Sequence, residues 1–298
     1  MTVYGTEIIH QIPLPMETPS VCDIRYSVEL DDRVPADLRN AMRCGMALYR
    51  AHGRRVFLFS DRPVTRSASE QPWCYEAEGA VRFWWRSGTG MIHCERLGGT
   101  EWTKVEFWLL HLLLPLWLSL ERRYHFFHAG AVEIGDRPVL FLAPSMGGKS
   151  TMTDYFLRRG HGLISDDKVA TFRENGCIMV APAHPYHRPW RSFEDLGQRA
   201  ERFVTGIRPL HALYLLERTD AQASVALTEI RGMEKLGELL PHFLYQFPFM
   251  KREQLAYLAP LLSELPLIRV AVPWDLKRLE EVYEAICADA ERREGHDA

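Results

Sequence analysis

Residues 139–160 read VLFLAPSMGGKSTMTDYFLRRG. A short apolar run, Pro138 to Leu142, gives way to a loop of small residues. A helical stretch, Ser150 to Arg159, follows and stops at Gly160, which suits a helix C-cap. From Ala143 to Ser150 the loop fits the phosphate-binding pattern G-x-x-x-x-G-K-[ST], with Ala143 in place of the first glycine. Small residues let backbone N–H groups turn inward to phosphate oxygens, and the helix start adds its positive end. In a loop of this kind Lys149 reaches the β and γ phosphates and the Ser150 hydroxyl ligates Mg²⁺. Pro144 lacks an N–H, so the cradle rests on Ser145, Met146, Gly147, Gly148, Lys149, Ser150 and Thr151. The bland alternative is a Gly-Lys-Ser turn with no ligand. The position between an apolar run and a helix favours the phosphate loop.

Outward from the loop, His128 to Ile134 alternates and then turns at Gly135-Asp136. On the other side, Leu163-Ile164-Ser165 reads as a buried strand running into Asp166-Asp167. Lys168 to Arg173 is the next strand, with a turn at Asn175-Gly176. Strand, loop, helix, strand is the order of an α/β nucleotide-binding unit. Leu213 to Leu216 and Ile268 to Val272 are further strands, and Asp275 to Ala290 is an amphipathic closing helix before a frayed tail, ERREGHDA. The acidic pair comes sixteen residues after Ser150. It is either a solvated strand-ending turn or the pair of carboxylates that phosphoryl transfer needs, one for Mg²⁺ and one to orient the acceptor.

Residues 128–172, HAGAVEIGDRPVLFLAPSMGGKSTMTDYFLRRGHGLISDDKVATF, resemble the core of the HPr kinase/phosphorylase family. The features that match are His128 on its small-residue strand, the loop ending at Ser150, the turn Arg159-Gly160-His161, and Asp166-Asp167 at a strand end. The resemblance implies a kinase fold akin to phosphoenolpyruvate carboxykinase, not the Ras-like one. It implies ATP and Mg²⁺ as cofactors and a serine hydroxyl on a peptide or small protein as acceptor. Carried over residue by residue, Lys149 holds phosphates and Ser150 the metal. Asp166 acts as base toward the hydroxyl, Asp167 lies closer to the metal, and His128 is the active-site histidine. His161 is either part of the site or a capping residue. The resemblance also points to a homo-oligomer.

The chain departs from that pattern in two places. Thr151 follows Gly-Lys-Ser where the family has Glu. The Leu-Glu-Ile-Arg-Gly signature of the bifunctional enzymes is missing at its expected distance. Glu229-Ile230-Arg231-Gly232 lies more than sixty residues beyond Asp167, and Glu194 is the carboxylate nearer the right spacing. In that region stands HPYHRPWRSFED, where Arg188 and Arg191 are candidates to grip an acceptor's acidic group, against a surface loop with solvated arginines. His184 and His187 flank Pro185, which argues against one helical metal face.

The N-terminal half is β-rich, with runs such as Val56 to Phe59 and Ala80 to Trp85, turn signals between Ser60 and Glu70, and a helix expected over Asp37 to Arg50. Glu101 to Tyr124 reads as a long helix kinked at Pro115. The reading is therefore an α/β chain, α+β overall. A β-rich region with a long helix spans 1–124 and presents substrate, and a P-loop kinase domain of the HPr kinase type spans 125–298. The N-terminal half is similar to the lead-in of HPr-kinase-related proteins from peptide-modification clusters, the lasso-peptide precursor serine kinases above all. Two rival activities on such a scaffold are a non-catalytic nucleotide switch and a small-molecule kinase or nucleotidyl transferase.

Composition sets the outer bounds. Of 298 residues, 47% are apolar and 25% charged, enough for a core and too apolar for disorder. Lys plus Arg is 36 against 39 acidic residues, a net charge of −3, which argues against a whole-chain grip on nucleic acid. Six scattered cysteines with no C-x-x-C pair fit a reducing compartment. MTVYGTEIIHQIPLP has no signal-peptide pattern. The apolar run Phe107 to Leu120 holds His111 and Pro115 and is shorter than the roughly 20 residues a span needs, so it reads as a core helix in a cytoplasmic protein without membrane partners.

Overall fold

Runs with period-two alternation become strands, because successive side chains on an extended chain point to opposite faces. A computed structural model describes residues 1–15, 23–63, 70–189 and 194–293. The chain divides into two compact units. The first holds Met1–Tyr124, Arg191–Leu196 and Phe247–Lys251, and the second holds His125–Trp190, Gly197–Gln246 and Arg252–Ala298.

The first unit is built on an eight-stranded sheet in the order Thr2–Val3, Thr6–His10, Tyr26–Asp31, Met91–Arg96, Val81–Arg86, Pro72–Ala77, Arg54–Ser60, Cys44–Ala51. The helix expected over Asp37 to Arg50 is cut short. It spans Ala36–Ala41 only, and Cys44–Ala51 pairs antiparallel with Arg54–Ser60. His52 and Gly53, with φ of 49° and 80°, make the tight connection. Two positive-φ residues between alternating runs favour a hairpin over local helix propensity. The long helix spans Trp102–Leu120, ending short of Tyr124, and most of its residues are buried inside the fold, which fits a core element. A π-helical turn, Trp108–Leu113, stands directly before Pro115. A widened turn there accommodates the missing N–H and the ring of the proline. Trp108 packs near Tyr75 of the sheet, with ring centroids 6.5 Å apart.

In the second unit we number β1 (His125–Phe127), β2 (Ala129–Ile134), β3 (Arg137–Leu142), α1 (Lys149–Arg158), β4 (Gly162–Ser165), β5 (Val169–Glu174), β6 (Cys177–Ala181), β7 (Ala212–Thr219), β8 (Ala226–Ile230), α2 (Gly232–Leu239), α3 (Lys251–Glu264), β9 (Leu267–Pro273) and α4 (Leu279–Arg292). The main sheet runs β4-β2-β3-β7-β9-β8. Its centre is parallel, β3 with β7 and β7 with β9, while β2 is antiparallel to both β3 and β4. The helix α1 therefore connects two strands of the same direction with β2 between them, so the sheet is mixed, not doubly wound and all parallel. A smaller sheet joins β1, β5, β6 and Arg208–Pro209.

Both faces of the main sheet are covered, which explains why β3 is continuously apolar. Val139 and Phe141 point into a core shared with Met152 and Phe156 of α1 and Val282 and Ile286 of α4. Leu140 and Leu142 point into the opposite core, with Leu258 and Leu261 of α3. Phe156 is fully buried, 5.0 Å from the ring of Phe141 and 4.8 Å from that of Tyr283. It fixes α1, and with it the loop ahead of α1, against the sheet. Phe156→Ala should cost about 3–5 kcal/mol, read as a lower midpoint in urea unfolding. A loss below about 1 kcal/mol would mean that α1 is held by something other than this core.

Candidate functional site

The loop from Ala143 to Gly148 connects the buried end of β3 to the first turn of α1. Met146 and Gly148 have φ of 63° and 95°, and the Gly147 N–H bonds the Pro144 carbonyl at 2.9 Å. The turn is tight at Gly147. A Cβ there would lie 2.8 Å from the Ala143 Cβ and 2.9 Å from the Pro144 carbonyl oxygen. Lys149 is buried, and its ammonium folds over the loop to donate to the carbonyls of Ala143 (2.6 Å) and Pro144 (3.2 Å). Ser145, Met146, Ser150 and Thr151 are exposed along the loop and helix start, and Gly147 and Gly148 half-exposed.

The acidic pair ends β4, and its two members sit in different surroundings. Asp166 is buried, and its Oδ2 accepts the backbone N–H of Arg188 at 2.7 Å. Burial pushes its carboxyl above the usual carboxylate range. The Arg188 N–H works against that shift and the charge of Asp167 adds to it. Asp167 takes φ of 69°, which turns its side chain out of the strand. One oxygen lies 2.6 Å from the Lys168 ammonium and the other 3.1 Å from Nδ1 of His128. This arrangement excludes the solvated-turn reading for Asp166.

The segment 184–188 is not a loop of solvated side chains. His184, His187 and Arg188 are all buried. Tyr186–His187 pairs with Gln198–Arg199. Gly197, with φ of 97°, is required at the turn into that pair, since a Cβ would press on the His187 carbonyl and lie 2.7 Å from the Arg188 Cγ. Nδ1 of His187 lies 4.0 Å from Asp154 on α1. Arg191 lies outside the described residues.

His242 was not singled out from sequence. Its carbonyl accepts the His128 N–H at 2.8 Å, and Phe243 stacks on Phe127 with centroids 4.7 Å apart. Its imidazole is buried, and burial, then the nearby charges of Lys149 and His128, hold it down to about 4. The segment lies more than a hundred residues from His128, and no local pattern marks it. From α1, Asp154 lies 4.0 Å from His187, the neighbouring Arg188 N–H bonds Asp166, and Asp167 beside it meets His128, whose N–H bonds the His242 carbonyl. The cluster brings together Lys168 and Arg188 with Asp154, Asp166 and Asp167, and the charge of Lys149 is felt at His242.

Other candidates fall elsewhere. His161 bonds the Glu133 carbonyl (3.2 Å) and the Tyr283 hydroxyl (3.0 Å), a packing role at the end of α1. Glu194 belongs to the first unit, where it pairs with Arg54 and accepts from the Trp108 indole at 3.0 Å. Glu229 lies on β8, paired with Arg231. Among the described residues no group of three or more His, Cys, Asp or Glu is placed to hold a metal by itself.

Beside the loop, a slot of about 210 Å³ opens between Gly147, Gly148 and Thr151 on one side and Val272, Trp274 and Leu276 on the other. It is mostly apolar, and sequence reading had given no sign of it.

No family model and no curated protein matches the chain. Among solved structures the chain is similar to the Hpr(Ser) kinase/phosphatase from Coxiella burnetii, at 14% identity and a TM-score of 0.38, covering 58% of this chain and 94% of that one. At that level no residue role transfers from it.

His184 gives the site a pH signature. Burial, then the charge of Lys168, lower its imidazole from the ordinary 6.5 to about 4. The folded protein keeps it neutral while the unfolded chain protonates it. Its contribution to stability is present above pH 6.5 and is lost as pH falls toward 4. The difference in urea midpoint between pH 7 and pH 5 should be smaller in His184→Gln than in the parent. An equal difference in both would mean that His184 protonates alike in the two states.

Proposed function

We propose that the second unit is an ATP- and Mg²⁺-dependent kinase that phosphorylates a serine hydroxyl of a peptide or small protein, of the kind that lasso-type precursor kinases act on. The observation that carries this reading is the contact chain that ties the strand-end carboxylates to the helix opened by the glycine loop. A structural turn has no need of a buried lysine over the loop and a buried carboxyl nearby.

In this reading a triphosphate takes the place of the Ala143 and Pro144 carbonyls as partner of the Lys149 ammonium, and the loop's N–H groups and the start of α1 add to its grip. Mg²⁺ supplies charge neutralisation of the phosphates, and the oxygens suited to it are the Ser150 hydroxyl and the Asp167 carboxylate. Two protein oxygens are a fitting set, because Mg²⁺ keeps several waters and phosphate oxygens as its other ligands. Asp166 is fixed by the Arg188 N–H through one oxygen and offers the other to the acceptor hydroxyl. Its raised pKa lets it take the serine proton as transfer proceeds. Lys168 and His128 hold Asp167 in place. Arg188 and Arg191 are assigned to the acceptor's acidic groups, and the first unit to presenting the peptide. The reaction is one-way, since the Leu-Glu-Ile-Arg-Gly signature is missing at its family spacing. The site works in the cytoplasm.

The test is incubation with ATP, Mg²⁺ and serine peptides, read by mass. A gain of one phosphate, about 80 Da, supports the kinase, whereas a nucleotide adduct or no transfer to any serine peptide defeats it. Lys149→Ala should abolish transfer and weaken ATP binding with the fold intact. Wild-type turnover in that variant would sink the loop assignment.

The carboxylates should separate. Asp166→Asn should lower kcat about 100-fold or more at near-normal ATP affinity. Asp167→Asn should raise the Mg²⁺ concentration needed for half-maximal rate. The reverse pattern would exchange the two roles.

A further inference from the structure

The slot beside the glycine loop has a built aromatic wall. Trp274 follows β9, its N–H bonds the Thr219 carbonyl at 3.1 Å, and the Arg218 guanidinium lies 3.8 Å from its ring centroid. That cation–π contact fixes the ring from one side. Trp274 nevertheless stays 42% exposed and Leu276, which also lines the slot, 74% exposed. A Cβ added to Gly148 would meet the edge of the indole at 3.7 Å, so the wall begins where the phosphate loop ends. The lining is mostly apolar, and part of the rim's hydrogen-bonding capacity is spent within the rim. The Asp275 N–H bonds the Pro273 carbonyl, the Asp275 carboxylate accepts from Lys277, and Pro273 has no N–H.

We propose that this slot takes the base of the bound nucleotide, and that it selects the base by stacking and shape instead of by reading its hydrogen-bonding edge. The inference rests on the nucleotide reading above and extends it to specificity. A volume of about 210 Å³ suits a flat ring system and is below the roughly 300–1,000 Å³ of pockets that engulf larger ligands. Continuity with Gly147 and Gly148 makes the occupant part of the molecule whose phosphates lie in the loop. A slot lined mostly by apolar side chains leaves little unpaired when one purine replaces another, so discrimination between adenine and guanine is small. A pyrimidine covers less of the indole and gains less.

The experiment is calorimetric titration of the full chain with ATP, GTP, UTP and inorganic tripolyphosphate, for the parent, Trp274→Ala and Trp274→Phe. ATP and GTP should bind within about three-fold of each other and about ten-fold or more tighter than tripolyphosphate, with UTP between. Trp274→Ala should bring ATP to the tripolyphosphate level and leave tripolyphosphate unchanged, and Trp274→Phe should restore most of the loss. Trp274 is exposed enough that neither change threatens the fold, and Leu276→Asp, at a still more exposed position, should weaken ATP in the same selective way. Tripolyphosphate binding that depends on Lys149, with ATP no tighter or unaffected by Trp274→Ala, overturns the base slot and leaves the phosphate loop standing. GTP more than a hundred-fold weaker than ATP overturns selection by stacking. Failure of both ATP and tripolyphosphate to bind overturns the nucleotide reading and this inference with it.

Discussion

A carboxylate cut off from water must find its hydrogen bonds inside the protein, and Asp166 is in that position. Its partner is a backbone N–H, that of Arg188, so the chain at 186–188 has to run past the end of β4 at hydrogen-bond distance. Losing that bond would leave a buried polar group unmet, a cost of about 1–3 kcal/mol or more for a charged one. The rest of the site follows from the same requirement. The segment is steadied by its pairing with Gln198–Arg199, and that turn admits only a residue without a side chain at Gly197. His187 then faces Asp154, which belongs to the helix opened by the phosphate loop. One desolvated oxygen thereby links two strands, a turn and a helix.

Much of the second unit was legible because its signals are local. The run from Val139 to Gly160 carries a strand, a loop and a helix with its stop, and each has a backbone cause: an apolar run, small residues, a left-handed glycine. Gly160 has φ of 85°, as a C-cap requires, and Asn175-Gly176 form the hairpin turn with φ of 50° and 84°. The acidic pair could be placed at a strand end for the same reason. What could not be read was the split between its members, which depends on burial and on Arg188. His242, Lys168 and the Trp274 slot were equally invisible, since their role comes from strands and segments distant in sequence. The loop from His184 to Arg188 was ambiguous for want of one fact, whether its charged and aromatic side chains face solvent. In the structure His184, His187 and Arg188 do not, and Tyr186 is half-exposed.

In the first unit the misread element is instructive. Asp37 to Arg50 contains residues that tolerate a helix, yet only Ala36–Ala41 forms one. The remainder has an edge to pair with, Arg54–Ser60, and a two-residue connection that brings it there. Hydrogen bonds to a neighbouring strand outweigh helix propensities that differ by a few tenths of a kcal/mol per residue. The apolar run Phe107 to Leu120 reads as a core element from its histidine and proline. The helix that contains it, Trp102–Leu120, is long and apolar enough to span a membrane, and it is burial that fits it to a core, with Pro115 met by a π turn and the helix continuing through it.

The tight fit between Ala143 and Gly147 bears on how this loop can drift over generations. Position 143 can lose its methyl at no steric cost, which would restore the commoner glycine. Position 147 has no such freedom: while Ala143 stands, any side chain there collides with it, and the Pro144 carbonyl bars the way even afterwards. The two sites therefore form a one-sided lock, in which change at 143 is open, change at 147 is closed, and a lineage that arrives at alanine has made its neighbour's glycine harder to lose.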